Sequence, residues 1–446
     1  MTDERSVPDT STSPGVTRRT LLKAGVATAA VATAAGLPGA AGTATASARG
    51  AGLPADPADS GIDHIVVVMM ENRSFDHFLG WLGGADGQQA GLSYLDGDGV
   101  AHPTHHLTDF QGLAFNDPDH SYDGGRVEFD GGACDGWLRA GDNDVYSIGY
   151  YKGADLAFYR HAAPYWTVCD RYFSSIMGPT FPNRFYLHSA QTDRISNTQV
   201  IATMPTIWDS LAAAGVSHRY YFSDVPFTAL WGAALLGITT PIAEFYASAA
   251  LGTLPAVSYI DPRFLGEDEG LSGDDHPHAD IRVGQSFLND IYTAVTSGPA
   301  WRRTALLITY DEWGGFFDHV PPGSAADPVP EHALRGFRVP TFVISPRARR
   351  SFVAHDTYDH SSIVKMIEWR FGLPPLTARD ADARNIADVL DFSIPPNPAA
   401  PRWNVPAPSS LTPEPLNALR AGLSTDHEAE WMDLRDLAGR HGFAVR

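Results

Sequence analysis

No stretch of the 446 residues carries a G-x-S-x-G turn, an H-E-x-x-H helix, a G-x-x-x-x-G-K-[ST] loop or clustered cysteine pairs. Serine hydrolases of the elbow type, zincins, P-loop enzymes and cysteine-built zinc modules therefore lose support. Basic residues are scarce: 32 Lys and Arg against 52 Asp and Glu give a formal charge of −20. That balance opposes nucleic acid and anionic bilayers as electrostatic partners. Only two cysteines occur, Cys134 and Cys169; an oxidising compartment permits a disulfide, and spacing alone does not decide it. There is no internal repeat. No run reaches the roughly 20 apolar residues of a membrane span, because Gly36, Pro38, Gly39 and several threonines interrupt the best candidate.

What is present begins with an export signal over residues 1–48. "TRRTLLK", with its paired Arg18 and Arg19, precedes an Ala/Val/Gly/Thr-rich run that ends in an Ala-x-Ala pattern near Ala44 to Ala48, the form of a twin-arginine (Tat) leader. Residues 49–61 read as a linker. From Ile62, apolar runs such as "VSYI" at Val257, "ALLITY" at Ala305 and "PTFVIS" at Pro340 alternate with helical patterns at Phe75–Leu82, Thr206–Ala214, Ile281–Val295 and Ser362–Phe371. The alternation predicts a layered α/β fold. Between Asp86 and Gly153 the chain is rich in Gly, Asp, His and aromatics with little periodicity, as long loop insertions are. "PPNPAAP" from Pro395 marks a further linker, and a last helix is expected within Thr425 to Gly442.

Two core-like strands end in polar pairs. "HIVVVMMENRSFDHFLGWL" runs from His64 into Glu71 and Asn72, and "LLITYDEWGGFFDHV" runs from Leu306 into Asp311 and Glu312. An open α/β sheet gathers ligands at its carboxyl edge, and four oxygens there suit a divalent cation. Each residue taken singly also fits a capping role, Asn72 or Ser74 for the helix near Phe75 and Asp311 for a turn. In "IMGPTFPNRFYLHSAQTD", Thr180 stands ahead of Pro182 at a helix start, where it is either an N-cap or, with a metal or base beside it, a nucleophile. The backbone amides of that helix start also suit a bound phosphate. Two histidine motifs, "DPDHSYDGG" with His120 and "SGDDHPHADI" with His276 and His278, lie in loops where packing demands little. His276 is a candidate proton donor to a leaving alkoxide, and His120 a candidate donor to a phosphoryl oxygen.

"ENRSFDHFLG", "GPTFPNR", "DPRF…DDHP", "YDEWGGFFDHVPP" and "RGFRVPTFVISP", in that order over Ile62 to Leu373, resemble the bacterial phospholipase C and acid phosphatase family, which includes plant non-specific phospholipases C. The resemblance implies an alkaline-phosphatase-like three-layer α/β sandwich with a mostly parallel central sheet, and hydrolysis of phosphoesters. It implies one divalent cation, whether calcium, magnesium, manganese or zinc, held by Glu71, Asn72, Asp311, Glu312 and the nucleophile Thr180. His120 and His276 match the family's catalytic histidines, and Asn183 and His319 join His120 as expected substrate-binding residues.

The expected layout is then a catalytic domain over 62–394 and a Pro-rich linker with a helical segment over 395–446. The β-rich C-terminal domains of the larger haemolytic members have no counterpart. A secreted phospholipase C acting on a phospholipid at a membrane surface is the leading expectation, with export by the Tat machinery; a broad acid phosphatase using the same site is the alternative.

Overall fold

The computed structural model describes residues 52–267, 270–408 and 426–445; the leader lies outside them. His64–Met70, buried throughout except at its first residue, is the strand β1. It lies between Val257–Ile260 (β5) and Thr304–Tyr310 (β6), both parallel to it. Rows of Val, Ile and Leu buried on both faces are what a central parallel strand requires. Around this core lie Thr167–Cys169 (β2), His218–Phe222 (β3), Thr239–Pro241 (β4), Phe342–Ile344 (β7) and Phe352–Ala354 (β8). The eight strands run in the order β8-β2-β7-β6-β1-β5-β3-β4. Strand β7 alone runs against its neighbours, so the sheet is mostly parallel, as expected.

Register determines where the chemistry falls. β1 and β6 pair residue for residue from His64–Thr304 to Met70–Tyr310. Glu71 and Asp311 therefore leave the sheet at the same level. The Asp311 N–H continues the ladder to the Met70 carbonyl at 3.1 Å, and Arg73 N–H donates to the Glu312 carbonyl at 3.1 Å. Gly314, at φ +66°, lets the two exits approach, since a Cβ there would run into the Asn72 carbonyl oxygen.

The helices start where capping chemistry permits. Ser74 Oγ accepts from the His77 N–H at 3.2 Å and caps α1 (Phe75–Leu79), which leaves Asn72 uncommitted to that end. Helix α2 (Thr180–Ser189) takes Pro179 as its N-cap, so Thr180 is its first helical residue and its hydroxyl caps nothing. Asp280 caps the amphipathic α3 (Ile281–Ser297), and an Asp359–Ser362 capping box starts α4 (His360–Phe371).

The 86–153 insertion is more ordered than its composition suggests. It holds two short ribbons, Ser93–Leu95 with Ala101–Pro103 and His105–His106 with Gly149–Tyr150, and the helix Tyr122–Phe129. Tyr94, Trp137 and Ile148 from this insertion form a second small core with Trp313, Phe317 and Phe337. Cys134 belongs to that cluster and Cys169 to the main core; both are buried free thiols, so no disulfide joins them. The C-terminal helix α5 (Asp426–Arg440) sends Trp431, Leu434 and Ala438 into the main core. Among the described residues, no helix is long and apolar enough to cross a membrane.

Candidate active site

Six of the expected residues meet around Asn72. The β1 exit holds Asn72 at φ 57°, a left-handed conformation that Asn tolerates better than most residues. Its N–H donates to Asp311 Oδ1 at 3.2 Å, its Nδ2 lies 3.2 Å from His120 Nε2, and its Oδ1 accepts from Thr180 Oγ1 at 3.4 Å. His120 and His276 face each other edge to face, ring centroids 5.8 Å apart. Glu71 and Glu312 flank Asn72 in the chain and across the sheet, and both are fully buried.

The carboxylates here carry a charge problem that a cation would resolve. Neither Glu71 oxygen nor Glu312 Oε1 has a hydrogen-bond partner. Burial drives Glu71 well above the usual carboxylate range despite Arg184, and Asp311 and Asp274 add to the rise. Burial likewise pushes Glu312 up to about 8 against the pull of His120. Asp311 is raised by burial even with Arg184 beside it. Buried carboxyls with unshared oxygens are costly to ionise unless a cation neutralises them. The acidic and imidazole groups whose ligand atoms come within 4.8 Å of one another here are Glu71 with Glu267 and His427, and His120 with His276 and His427; the oxygens of Asn72, Asp311, Glu312 and Thr180 stand beside them and are of the type a hard divalent ion takes.

The histidines differ in electrostatic character. Burial opposes protonation of His120, yet Glu312 and Asp117 outweigh it and raise the ring to about 10. His276 is driven well below its ordinary value by burial and by the neighbouring His427 and His120. Its Nδ1 lies 2.9 Å from the Pro277 carbonyl, an acceptor, so the proton sits there and Nε2, 3.8 Å from Asp117 Oδ2 and without a hydrogen-bond partner, presents a lone pair.

Two expected substrate contacts face elsewhere. The Asn183 amide is engaged with backbone, Oδ1 accepting from Ile176 N–H at 3.0 Å and Nδ2 donating to the Ile176, Gly178 and Pro179 carbonyls. It shapes the turn before α2. His319 bonds Asp76 at 2.5 Å and Asp86 at 3.2 Å in a separate cluster that Arg338 neutralises through Asp76 and Asp318. Of the amides expected to attract an anion at the start of α2, Phe181 N–H is taken by Asn197 Oδ1 at 2.8 Å.

Residues that sequence reasoning passed over complete the site. Arg184, the last residue of "GPTFPNR", reaches Asp311 Oδ2 and Asp261 Oδ1 at 3.0 Å each and Glu71 Oε1 at 3.5 Å. His427, nearly 250 residues from Thr180 in the chain, puts Nε2 3.5 Å from Thr180 Oγ1. Glu267 lies 3.2 Å from Nδ1 of both His276 and His427. No local pattern marks Glu267 or His427, whereas Arg184 stood inside a quoted motif and signalled a buried charge. A cavity of about 420 Å³ opens beside these groups, lined in part by Asp117, Asp119, His120, Asn197, His427 and Glu430.

A mostly parallel sheet that brings buried oxygen groups to one edge, opposite a helix-borne hydroxyl, suits ester hydrolysis. Residues 62–236 and 233–374 match the model of the Phosphoesterase family, and the chain belongs to that family; it is a phosphoric ester hydrolase. Phospholipase C B of Mycobacterium tuberculosis (strain ATCC 25618 / H37Rv) is 35% identical over 92% of both chains. Non-specific phospholipase C1 of Arabidopsis thaliana is 33% identical over 72% of this chain and 69% of that one. Among solved structures, the phosphonate monoester hydrolase of Agrobacterium radiobacter aligns at 11% identity and a TM-score of 0.38, covering 73% of this chain and 77% of that one, a slight likeness.

Proposed function

We propose that this phosphoesterase is a phospholipase C that cleaves a phospholipid to diacylglycerol and a phosphorylated headgroup through a phosphothreonine at Thr180. The observation that carries the reading is the Thr180 hydroxyl, capping nothing, 3.4 Å from Asn72 Oδ1, beside Glu71 and Glu312 oxygens that accept no hydrogen bond. The names of the similar proteins support the lipid substrate. The cavity supports it too, since Asp117, Asp119, Asp142 and Glu430 on its wall suit a cationic headgroup.

Glu71, Asn72, Asp311, Glu312 and Thr180 would hold the divalent ion, which when bound lowers the hydroxyl pKa and offsets phosphoryl charge. Thr180 Oγ forms the bond to phosphorus as the bond from phosphorus to the glycerol oxygen breaks; the proton lost by Thr180 balances the one gained by diacylglycerol. Water then adds its hydroxyl to phosphorus and returns a proton to Thr180 Oγ, releasing the phosphorylated headgroup. His120, whose Nδ1 faces the Pro118 carbonyl and whose Nε2 accepts from Asn72 Nδ2 in this arrangement, would take up a second proton, which Glu312 and Asp117 favour, and turn Nε2 from Asn72 to the substrate, bringing positive charge to the phosphoryl oxygens and a proton to the departing oxygen. His276, whose motif makes it a candidate for that last part, takes a different one. With its proton on Nδ1, neutral His276 better suits accepting a proton from the attacking water in the second step.

Phosphatidylcholine, p-nitrophenyl phosphorylcholine and p-nitrophenyl phosphate, each assayed with and without chelator, test the reading. Diacylglycerol release that chelator abolishes, with little monoester turnover, is the expected result; preferential monoester turnover would replace the phospholipase with an acid phosphatase. T180A should fall to background, and mass spectrometry of quenched wild-type enzyme should find phosphate on Thr180. Export is a separate part of the proposal, supported by Arg18 and Arg19: replacing both with Lys should leave the precursor inside the cell.

A further inference from the structure

The C-terminal helix lies beyond the residues matched by the family model, which end at 374, and it delivers His427 to the nucleophile. His427 stacks on His276 at 3.7 Å with 11° between the planes. Its Nδ1 faces Glu267 Oε1 and Oε2 at 3.2 and 3.4 Å. A carboxylate accepts only, so the ring proton resides on Nδ1 and Nε2 offers a lone pair. That lone pair lies 3.5 Å from Thr180 Oγ1, so the single hydroxyl proton has two acceptors, His427 Nε2 and Asn72 Oδ1.

The helix is fastened so as to keep the ring there. Four residues on, and so on the same helix face, Trp431 is fully buried and stacks on Phe264 at 3.7 Å and 5°. Asn197 joins the two helices directly: its Oδ1 accepts from the Phe181 N–H at 2.8 Å, and its Nδ2 donates to Glu430 Oε2 at 2.6 Å. Gln199 Nε2 donates to the Glu430 carbonyl at 3.1 Å, and Gly266 N–H to Glu428 Oε1 at 3.0 Å. Together these contacts tie α5 to the loop that follows α2, which Asn197 links to the start of that helix beside Thr180, and to the segment that carries Glu267.

We propose that His427 is a positioning residue of the active site, which accepts the Thr180 hydroxyl hydrogen bond and so aims an Oγ lone pair at phosphorus. The C-terminal helix is then part of the catalytic apparatus. The inference rests on Thr180 being the nucleophile.

The test compares H427A, H427Q, T180A and M432A, the last on the exposed side of the same helix, with p-nitrophenyl phosphorylcholine as substrate. Expected for H427A is a fall in kcat of about 100-fold, the scale of a misaimed reacting group, with KM within about two-fold. Phosphorylation of Thr180 in quenched samples should slow in parallel, and added imidazole should restore part of the rate. M432A should match wild type. H427A at full kcat beside an inactive T180A would overturn the inference and leave the nucleophile standing; an active T180A would remove both. Should H427A melt far below wild type, H427Q, which retains side-chain polarity, is judged by the same kcat and phosphorylation criteria.

Discussion

Arg184 sits among Glu71, Asp261 and Asp311, with Nη2 also donating to the Met70 carbonyl at 3.2 Å and its guanidinium 4.8 Å over the Phe264 ring. Removing it would leave buried acids facing one another without compensation. R184M should therefore destabilise the fold by about 3–5 kcal/mol, the usual cost of breaking a buried ion network on one side, measured by denaturant or thermal unfolding. The orphaned oxygens of Glu71 and Glu312 make a complementary prediction. A divalent cation that fits them should raise Tm, with about 2.7 kcal/mol of added stability at 100 times its Kd; E71Q should blunt that rise while keeping the fold. If no divalent ion shifts the melting curve of wild type, the ligand assignment fails. At this scale the sequence was informative wherever a residue sat in a motif: Glu71, Asn72, Asp311, Glu312, Thr180, His120 and His276 were all singled out, and the fold brings them together. Asn183 and His319 also stood in motifs, yet a motif position does not say whether a side chain faces substrate or braces the backbone.

Among the elements, β1, β5, β6 and β7 were legible as apolar runs, and the helices α3 and α4 as 3.6-residue patterns, because burial on both faces or on one stripe imprints a period. Thr167–Cys169 and Phe352–Ala354 were not: the first runs straight into Asp170 and Arg171 and the second follows Arg349, Arg350 and Ser351, so neither stood out as the run that holds β7 does. The ordering of the 86–153 insertion depends on Trp313 and Phe337 from distant segments, which no local pattern could reveal. Where elements pack, titration follows. On α4, Glu368 is 2% exposed, and neither carboxylate oxygen has a hydrogen-bond partner. Burial and the neighbouring Asp380 raise it to about 9. Asp380 is meanwhile satisfied by the N–H groups of Leu376, Thr377 and Ala381. A carboxyl whose folded pKa exceeds its unfolded value near 4.5 holds its proton only in the native state between those limits, so its contribution to stability declines as pH rises from about 4.5 to 9. E368Q should match wild type in Tm near pH 4 and exceed it increasingly toward pH 8. A constant difference across that range would show that Glu368 is not the titrating group.

For the whole molecule, the acidity that opposes polyanions bears on which lipid surface the proposed phospholipase would meet. A chain at −20 is repelled by an anionic bilayer over a range set by screening, about 30 Å at 0.01 M salt and 8 Å at 0.15 M. For the proposed phospholipase, contact would then come from apolar groups close to the cavity. Ile195 lines it and is 42% exposed, and Val200, five residues on, is 68% exposed. Hydrolysis of phosphatidylcholine vesicles should therefore vary little with salt. The same lipid diluted into phosphatidylglycerol vesicles should be cut more slowly at 0.01 M than at 0.15 M, with the deficit shrinking as salt rises. Replacing Ile195 and Val200 together by Ser should lower the vesicle rate and leave p-nitrophenyl phosphorylcholine, which needs no surface, near the wild-type rate. Faster cleavage in anionic vesicles at low salt would mean that a local basic surface, not net charge, governs approach, and an equal loss on both substrates would place Ile195 and Val200 in the site's framework instead of at its lipid contact.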